Sequence, residues 1–405
     1  MESVNCMGEA EAETVGNPGR MVLPSLVISR FATMPPGIIT GLLLINIGES
    51  FGQAVGVTGQ MGTAASIVGV FSALLISALS LRFRPKSLLI GGLGLLMAST
   101  AGCILAPSFT VLLAVYALTG MAGSLVGPMA FTLVAEHFPP ERRANALSWI
   151  IAGMSGAHLV GAPIIGYISG FVGWRGSFLW FVLPVSMLGL FLAVRFVPSG
   201  PRGELGERGG GPGLMEGFKG VLTNTSAVAC LAGTAFIAAA YMAMVSYAPS
   251  YYREQFGLST GQASLLVIGS SICFIMGTRI CGRLVSRYGR KTTMLWPAAL
   301  AALSIFAYLN VPNLWLSTGA RFLGSTFSAI VFTAANALTL EQVPRFRGTV
   351  MSLSQATFSL GGVLGTGLGG LIVLLSGYPA MGLSHGAMML VAMLILHFLA
   401  KEPQP

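Results

Sequence analysis

Apolar stretches of about 20 residues recur along this chain from residue 22 to residue 400, and that length as a helix spans the hydrocarbon core of a bilayer. Charged residues make up 9% of the sequence, against roughly 25% in soluble domains. A soluble fold with so few charges could not cover its surface with polar groups. Because lipid offers the backbone no hydrogen-bond partner, apolar runs of this length indicate helices. The sequence therefore predicts an all-α membrane protein.

Twelve such stretches are predicted as transmembrane helices, six on each side of a polar interval rich in glycine and proline. That composition predicts a flexible linker. The predicted organisation is a disordered N-terminal extension (1–21), a six-helix bundle (22–197), a cytoplasmic linker (198–225), a second six-helix bundle (226–400) and a tail (401–405). The predicted spans are 24–46, 57–80, 87–106, 109–136, 145–170, 176–197, 226–252, 259–284, 292–310, 313–340, 349–376 and 381–400.

Lysine and arginine predict the orientation of the spans. The net charge of +9 would suggest nucleic acid as the partner of a soluble protein, but here the basic residues lie in short loops. Only Arg175 and Arg253 fall in the loops on the side away from both termini. Because basic loops remain in the cytoplasm, both termini are predicted there, and no nucleic acid is expected as a partner. Multi-pass insertion in a bacterial inner membrane is expected.

The two halves of the chain repeat each other at a fixed offset. Arg82 and Lys86 follow the second span, and Arg287 and Lys291 follow the eighth, 205 positions later. Three further pairs with the same offset close the fourth and tenth spans: Glu136 and Glu341, Pro139 and Pro344, Arg142 and Arg347. Repeated six-helix halves are one plan of secondary transporters, with the substrate site near the bilayer midplane between them.

These residues resemble the major facilitator superfamily over the whole chain from about residue 22. The family motif Gly-x-Leu-x-Asp-Arg-x-Gly-Arg-Lys is matched by Gly-Arg-Leu-Val-Ser-Arg-Tyr-Gly-Arg-Lys at 282–291, with Ser286 in the aspartate position. The first copy, at 77–86, is degenerate and has Leu81 at that position. The resemblance implies twelve helices in two pseudo-symmetric bundles, alternating access and a monomer.

The fifth span resembles the glycine and proline signature of exporters in that family. Its sequence is Gly-Ala-His-Leu-Val-Gly-Ala-Pro-Ile-Ile-Gly at 156–166, and Gly-Trp-Arg follows at 173–175. This element is similar to the twelve-span drug:proton antiporter group, most of all to its sugar and arabinose efflux permeases. The resemblance implies export of a small organic solute coupled to protons, with no cofactor.

The loop residues of the motif have two interpretations. They either obey the positive-inside bias alone or form a cytoplasmic gate, in which the basic groups pair with Glu136, Glu341 and helix-end carbonyls. Exposed pairs of this kind contribute on the order of 1 kcal/mol each, which suits a gate that must open. The predicted gate residues are Arg82, Lys86, Glu136, Arg142, Gly282, Arg283, Arg287, Gly289, Arg290, Lys291, Glu341 and Arg347.

Small residues recur about four positions apart in the fifth and eleventh spans. Such spacing lets helices approach closely, and it also suits a sliding surface between the halves. The predicted packing residues are Gly156, Gly161, Pro163, Gly166, Gly361, Gly365 and Gly369.

Proton coupling needs an ionisable group inside the membrane. All 13 acidic residues are glutamate, and none falls in the middle of a span. His158 in the fifth span is the predicted coupling residue, with Glu49 in the first outer loop as second choice. A hydrogen-bonded packing histidine is the alternative interpretation of His158.

Arginine within a span is costly and faces a cavity or a partner. Arg30 and Arg279 lie near enough to the inner side to snorkel, whereas Arg321 lies one third of the way into the tenth span. In a facilitator fold, spans one, four, seven and ten surround the cavity. A cation there would favour anionic or polyhydroxylated substrates. The predicted substrate-binding residues are Arg30, His158, Tyr241, Tyr247, Arg321, Asn336 and Gln355.

Other functional classes find little support in the sequence. There is no phosphate loop for ATP, no His/Cys cluster with metal spacing and no catalytic constellation, so neither an enzyme nor a metal site is expected. The leading hypothesis is a proton-driven exporter. An importer or facilitator is the alternative within transport, and a membrane sensor without transport activity is the alternative outside it.

Overall fold

The computed structural model describes residues 19–199, 214–343 and 347–401, and every regular element in those ranges is helical. The N-terminal half contains α1 to α9 and one π-helix, Phe178–Val182. These helices are α1 Val22–Ala32, α2 Pro35–Leu42, α3 Leu44–Phe51, α4 Val55–Thr58, α5 Gln60–Arg82, α6 Pro85–Leu105, α7 Phe109–His137, α8 Pro140–Ser177 and α9 Leu183–Phe196.

The C-terminal half contains seven helices and a second π-helix, Val363–Leu368. These helices are α10 Leu214–Leu222, α11 Thr225–Phe256, α12 Thr260–Tyr288, α13 Arg290–Asn310, α14 Leu314–Glu341, α15 Arg347–Gly362 and α16 Gly369–Leu399.

Ten stretches of the described residues are long and apolar enough to cross a membrane, and two of them are of double length. The double stretches, Asn145–Phe196 and Ser352–Leu399, have 52 and 48 residues. Each contains a glycine with positive φ, Gly173 at 69° and Gly377 at 77°, and helical backbone cannot continue through such a residue. Each stretch therefore makes two crossings, and the predicted all-α fold with twelve spans is confirmed.

The first crossing differs from its prediction as one continuous span over 24–46. It consists of α1, α2 and α3, separated at Thr33–Met34 and at Leu43. Pro35 and Pro36 lack the N–H groups that would bond to the preceding turn, so the helix restarts at Pro35.

The predicted linker also differs from the structure. Residues 214–222 form helix α10, which packs against α11 and α15, whereas the prediction treated all of 198–225 as flexible. Residues 200–213 lie outside the described residues, as do 1–18 of the predicted extension and 402–405 of the predicted tail.

Helix boundaries repeat at the offset seen in the sequence. Helices α6 and α13 each have 21 residues and begin 205 positions apart, at Pro85 and Arg290. Gly52 and Gly257, separated by the same offset, both end a helix in the left-handed conformation. The same local geometry therefore recurs in both halves.

The halves are in contact mainly on one side of the bundle. We name the side with the start of α1 and the end of α16 the terminal face, and the side with Gly52 and Gly257 the distal face. Near the distal face, α2 and α3 pack on α11, and α4 packs on α16. Helix α5 packs on α15 and the second π-helix, and α8 packs on α12. Helix α1 packs closely only on helices of its own half.

The buried clusters show the same asymmetry. Near the terminal face each half has a cluster formed from its own residues alone. Near the distal face the clusters mix, since Leu44 joins the C-terminal cluster and Ala263 joins the N-terminal one. The space between the halves therefore opens toward the terminal face.

The predicted packing glycines fall into two groups. A Cβ on Gly361 would lie 2.4 Å from Ala238 Cβ, and one on Gly365 would lie 2.2 Å from Ala239 O, both on α11. These two glycines therefore bring helices of one half together. A Cβ on Gly166 would lie 3.2 Å from Ser264 of the other half, whereas a Cβ on Gly156 would meet nothing within 4 Å.

Gly361→Ala is expected to destabilise the protein, because the added methyl would overlap the backbone and side chains of α11. Overpacking of this kind costs about 1–3 kcal/mol, so the thermal unfolding midpoint in detergent should fall by several degrees. Gly156→Ala is the matched control, since its methyl has free space and alanine favours the helix. Equal midpoints for the two variants would contradict the assigned packing.

Candidate functional site

Arg30 supplies a positive charge at the inner edge of the space between the halves. It lies in the last turn of α1, and a Cβ on Gly127 of α7 would be 3.1 Å from its Nη1. Nη1 donates to Thr33 Oγ1 at 3.3 Å, and the buried Nε has no hydrogen-bond partner. No carboxylate among the described residues lies in salt-bridge range of Arg30. No acidic group of the described residues therefore compensates its charge.

Arg321 is placed differently from its predicted position at the cavity. Only 3% of its surface is exposed, Nη1 donates to Met244 O of α11 at 3.1 Å, and the guanidinium lies 5.7 Å from the Tyr308 ring centroid. This arginine ties α14 to α11 and α13 within one half. Tyr247 is likewise fully buried, and its hydroxyl donates to Thr366 O at 2.7 Å. Both side chains bond within the C-terminal half, and the Tyr247 ring also packs against Gly59 of the N-terminal half.

The remaining predicted substrate residues are half-buried. Tyr241 stacks on Phe274 of α12 with ring centroids 5.0 Å apart, and Asn336 Nδ2 donates to Phe332 O of its own helix at 2.8 Å. Gln355 is half-buried on α15. These three stay candidates for substrate contact.

The two predicted proton-coupling residues lie in unlike surroundings. His158 is half-buried, and its Nδ1 lies 3.3 Å from Met154 O, one turn earlier in α8. Glu49 is exposed at the distal face and borders two cavities of about 610 and 460 Å³. The Glu49 carboxylate interacts electrostatically with Arg253 of the other half, whereas the described hydrogen bond of His158 lies within its own helix.

The predicted gate residues of the C-terminal half form contacts within that half. Arg290 Nη2 lies 2.5 Å from Glu341 Oε1, and Lys291 Nζ donates to Ala400 O at 3.0 Å. The Arg287 guanidinium lies 5.3 Å from the Tyr288 ring centroid. Gly289, with φ of 79°, forms the turn between α12 and α13, while Gly282 and Arg283 are exposed. These contacts join α13 to α14 and α16.

The N-terminal copy makes different contacts. Lys86 Nζ donates to Val194 O at 3.1 Å instead of pairing with Glu136, whose buried Oε2 has no hydrogen-bond partner. Arg82 and Arg142 are exposed. The side chain of Arg347 lies outside the described residues.

The closest contact between the halves surrounds the second π-helix, Val363–Leu368. A π-helix shifts the hydrogen-bond register of the backbone and occurs often at functional sites. Three consecutive carbonyls here each face a side chain of another helix. Gly365 O lies 3.2 Å from His385 Nε2 on α16, Thr366 O accepts from Tyr247 on α11, and Gly367 O accepts from Gln60 Nε2 on α5 at 3.2 Å.

Further neutral contacts join the halves at the same level. Thr63 and Thr366 share a hydroxyl hydrogen bond of 3.0 Å, and a Cβ on Gly56 would lie 2.2 Å from Gly370 O. Nearer the distal face, Arg253 Nη1 donates to Asn46 Oδ1 at 2.7 Å. We name the contacts of Gly56, Gln60 and Thr63 with residues 366–370 the distal gate.

Sequence reasoning missed Gln60, Thr63 and His385. All three fall within predicted spans, where an uncharged polar residue is an ordinary packing residue. Their only signal in the sequence was that polar side chains, a histidine and a glutamine among them, lie in apolar segments. The residue pattern does not indicate a π-helix.

Gln60→Leu is expected to weaken the distal gate, because leucine cannot donate to Gly367 O. A neutral hydrogen bond contributes about 1 kcal/mol, so the ratio of distal-open to distal-closed molecules should rise about fivefold. Spin labels on cysteines replacing Thr110 and Trp315, exposed at the distal ends of α7 and α14, report this ratio by pulsed EPR.

Gln262→Leu is the matched control. Gln262 also lies near the distal face but caps its own helix α12. If both glutamine variants gave the same distance distribution as the parent, the Gln60 bond would not hold the gate.

Comparison with known proteins identifies relatives over most of the chain. A protein of Pseudomonas aeruginosa named Transcription regulatory protein OpdE is 24% identical over 386 residues, covering 94% of each chain. The Chloramphenicol resistance protein of Streptomyces lividans is 25% identical over 308 residues, covering 74% of this chain and 77% of that protein.

The fold is similar to that of solved transporters. The crystal structure of the D-xylose-proton symporter superposes with a TM-score of 0.76 at 16% identity and covers 94% of this chain and 97% of that one. The family model of the Major Facilitator Superfamily matches residues 26–278 and 229–405. With its twelve crossings and repeated halves, this chain belongs to the Major Facilitator Superfamily and is a multi-pass bacterial membrane transporter.

Proposed function

We propose that this transporter exports small organic solutes from bacterial cells by alternating access, driven by proton influx. In this proposal the terminal face is cytoplasmic, as the basic loops favour. The space between the halves then opens to the cytoplasm, where an exporter loads its substrate. The protein acts as a monomer, since each half completes its core within one chain.

The observation that carries the substrate class is the uncompensated charge of Arg30. A guanidinium buried within a membrane protein is costly unless an anion or several acceptors approach it. The unpartnered Nε of Arg30 lies on α1, which among the described helices packs closely on those of its own half. An anionic or polyhydroxylated solute in the space between the halves would supply the missing acceptors. Tyr241, Asn336 and Gln355 are proposed to complete its hydrogen bonds.

Export is favoured over import by two observations. The glycine and proline element of the fifth span lies in α8, which packs on α12 of the other half. The relative from Streptomyces lividans carries the name of a resistance protein, as expected for an exporter of small organic compounds. Proton-coupled import is the alternative direction.

The basic residues at the terminal face are proposed to close that face in the opposite state. In the observed state Arg290, Lys291 and Glu341 are engaged within their own half, while Arg82 and Arg283 are exposed at the terminal face. When the halves rock together, the exposed basic groups would meet helix-end carbonyls across the closed face.

A regulatory role is the second candidate function. It is favoured by the name of the Pseudomonas relative, Transcription regulatory protein OpdE. A sensor of this kind would bind the same solutes without moving them. The transport measurement separates the two functions.

Expression in efflux-deficient bacteria is expected to deplete one class of a panel containing organic anions, sugars, amino acids and cationic dyes. A protonophore should abolish that depletion, because the proton gradient drives it. Greater accumulation of one class would establish import, and an unchanged panel with retained binding to purified protein would favour the sensor.

Arg30→Gln is expected to reduce export of the depleted class by at least about tenfold, because a hydrogen bond to a charged group contributes about 1.5–3 kcal/mol. Arg30→Lys should recover part of the activity through its charge. Arg279→Gln is the matched control, since Arg279 is an exposed arginine of α12. Normal export by the Arg30→Gln variant would remove Arg30 from the substrate site.

A further inference from the structure

We infer that His385 binds and releases the coupling proton of the transport cycle. This inference rests on the proposed proton-driven export and names the group that carries the proton. His385 lies in α16 with 1% of its surface exposed, next to the carbonyls that form the distal gate. Its hydrogen-bond partners and its position at the gate carry the inference.

Both nitrogens of the imidazole face oxygen atoms that accept hydrogen bonds. Nε2 lies 3.2 Å from Gly365 O, and Nδ1 lies 3.1 Å from Met381 O and 3.0 Å from Ser384 Oγ. A carbonyl oxygen only accepts, so a ring nitrogen bonded to one must carry a proton. Two carbonyls at opposite nitrogens match the imidazolium, in which both nitrogens donate.

Ser384 allows the neutral imidazole to fit the same place. Its hydroxyl lies 3.1 Å from Met381 O and 3.0 Å from Nδ1, and it rotates freely. In the neutral form Nε2–H donates to Gly365 O, and the Nδ1 lone pair accepts from the Ser384 hydroxyl. In the charged form Nδ1–H donates to Met381 O, and the Ser384 hydroxyl turns to the same carbonyl. Both protonation states are therefore satisfied without movement of a heavy atom.

No carboxylate among the described residues bonds to His385, and Glu254 of α11 interacts with Tyr378, seven residues before the histidine. Helix α11 presents Tyr247, whose ring flanks Gly369 together with the imidazole, and Tyr251 farther along. Helix α13 presents Tyr308, which Arg321 of α14 contacts. Helix α4 and the π-helix have no titratable residue, and α16 itself adds Tyr378. The Gly365 and Met381 carbonyls are thus the groups that stabilise the proton.

The proton is linked to the gate through consecutive carbonyls. Gly365 O faces His385, and the next two carbonyls are held by Tyr247 and by Gln60 of the other half. A charged donor makes a stronger hydrogen bond than a neutral one. Protonation of His385 therefore fixes the π-helix in the arrangement that closes the distal gate. A proton taken from outside would close the outer face and be released on the cytoplasmic side.

His158 and Glu49 lack this link. The Nδ1 of His158 contacts a carbonyl of its own helix, and Glu49 is exposed at the distal face. Among the described hydrogen bonds, neither residue bonds to the π-helix or to a residue that bonds to it.

Histidine-selective NMR on the full chain in nanodiscs tests the protonation, since the protein has four histidines. The resonance absent in His385→Gln should change reversibly with pH between about 5 and 9. Ser384→Ala should raise the ratio of protonated to neutral His385 at a given pH three- to tenfold. This is the change expected for loss of about one hydrogen bond that the neutral form alone makes. A resonance that keeps one tautomer over that range, or ignores Ser384→Ala, would overturn the inference.

Pulsed EPR between labels at positions 110 and 315 tests the link to the gate. Acidification should enrich the distal-closed population in the parent, in His158→Gln and in the matched control His397→Gln, an exposed histidine of the same helix. His385→Gln should abolish the pH response. A response that persists in His385→Gln, or disappears in His158→Gln, would assign the proton elsewhere.

Neither measurement requires a substrate. Loss of the proposed export with an intact His385 response would reject the function alone. Proton-driven export without a pH response from His385 would reject this inference alone.

Discussion

The distal gate depends on three consecutive backbone carbonyls, Gly365 O to Gly367 O, each of which faces a side chain of another helix. A regular helix pairs its own backbone and needs no neighbour. At the π-helix Val363–Leu368, Gly365 O and Thr366 O accept from the backbone N–H of Gly369, and the carbonyls of 365–367 also contact side chains from α16, α11 and α5. One of those helices belongs to the other half. A local backbone irregularity therefore becomes a contact on which the relative position of the halves depends.

The contacts between the halves are individually weak, which suits a structure that must alternate. Gln60 and Thr63 use neutral hydrogen bonds, and the backbones approach closely at Gly56 and Gly370. Removing a neutral bond costs about 1 kcal/mol, whereas breaking a buried ion pair costs roughly 3–5 kcal/mol. Among the described residues, the ion pair of Arg290 with Glu341 lies within one half, and because both side chains are about one-third exposed it contributes on the order of 1 kcal/mol. The halves are thus held together mainly by neutral hydrogen bonds and close backbone packing, with one charge-assisted bond from Arg253 to Asn46.

The sequence predicted the spans well because their signal is composition over a long window. The predicted spans 87–106 and 313–340 correspond to Pro85–Leu105 and Leu314–Glu341. The break at Pro35 was visible in the sequence but was absorbed into a continuous apolar stretch. The rotation of a helix about its axis was harder to predict, because most faces of these helices are apolar. Arg321 and Tyr247 were therefore assigned to the cavity from their spans and depth, and His385 was overlooked because its partner is a backbone carbonyl.

The repeat explains why Arg321 and Arg30 have different roles. Tyr116 and Arg321 are separated by the repeat offset of 205, and each ties the fourth helix of its half to the first. Tyr116 hydroxyl shares a hydrogen bond of 3.0 Å with Thr40, while Arg321 donates to Met244 O. The guanidinium of Arg321 thus fills a structural position that a tyrosine fills in the other half. Arg30 has Ala235 at its equivalent position, so the repeat requires no arginine there. Under the proposed function, the charge of Arg30 is accounted for by the anionic or polyhydroxylated solute that approaches it, and not by the architecture of the repeat.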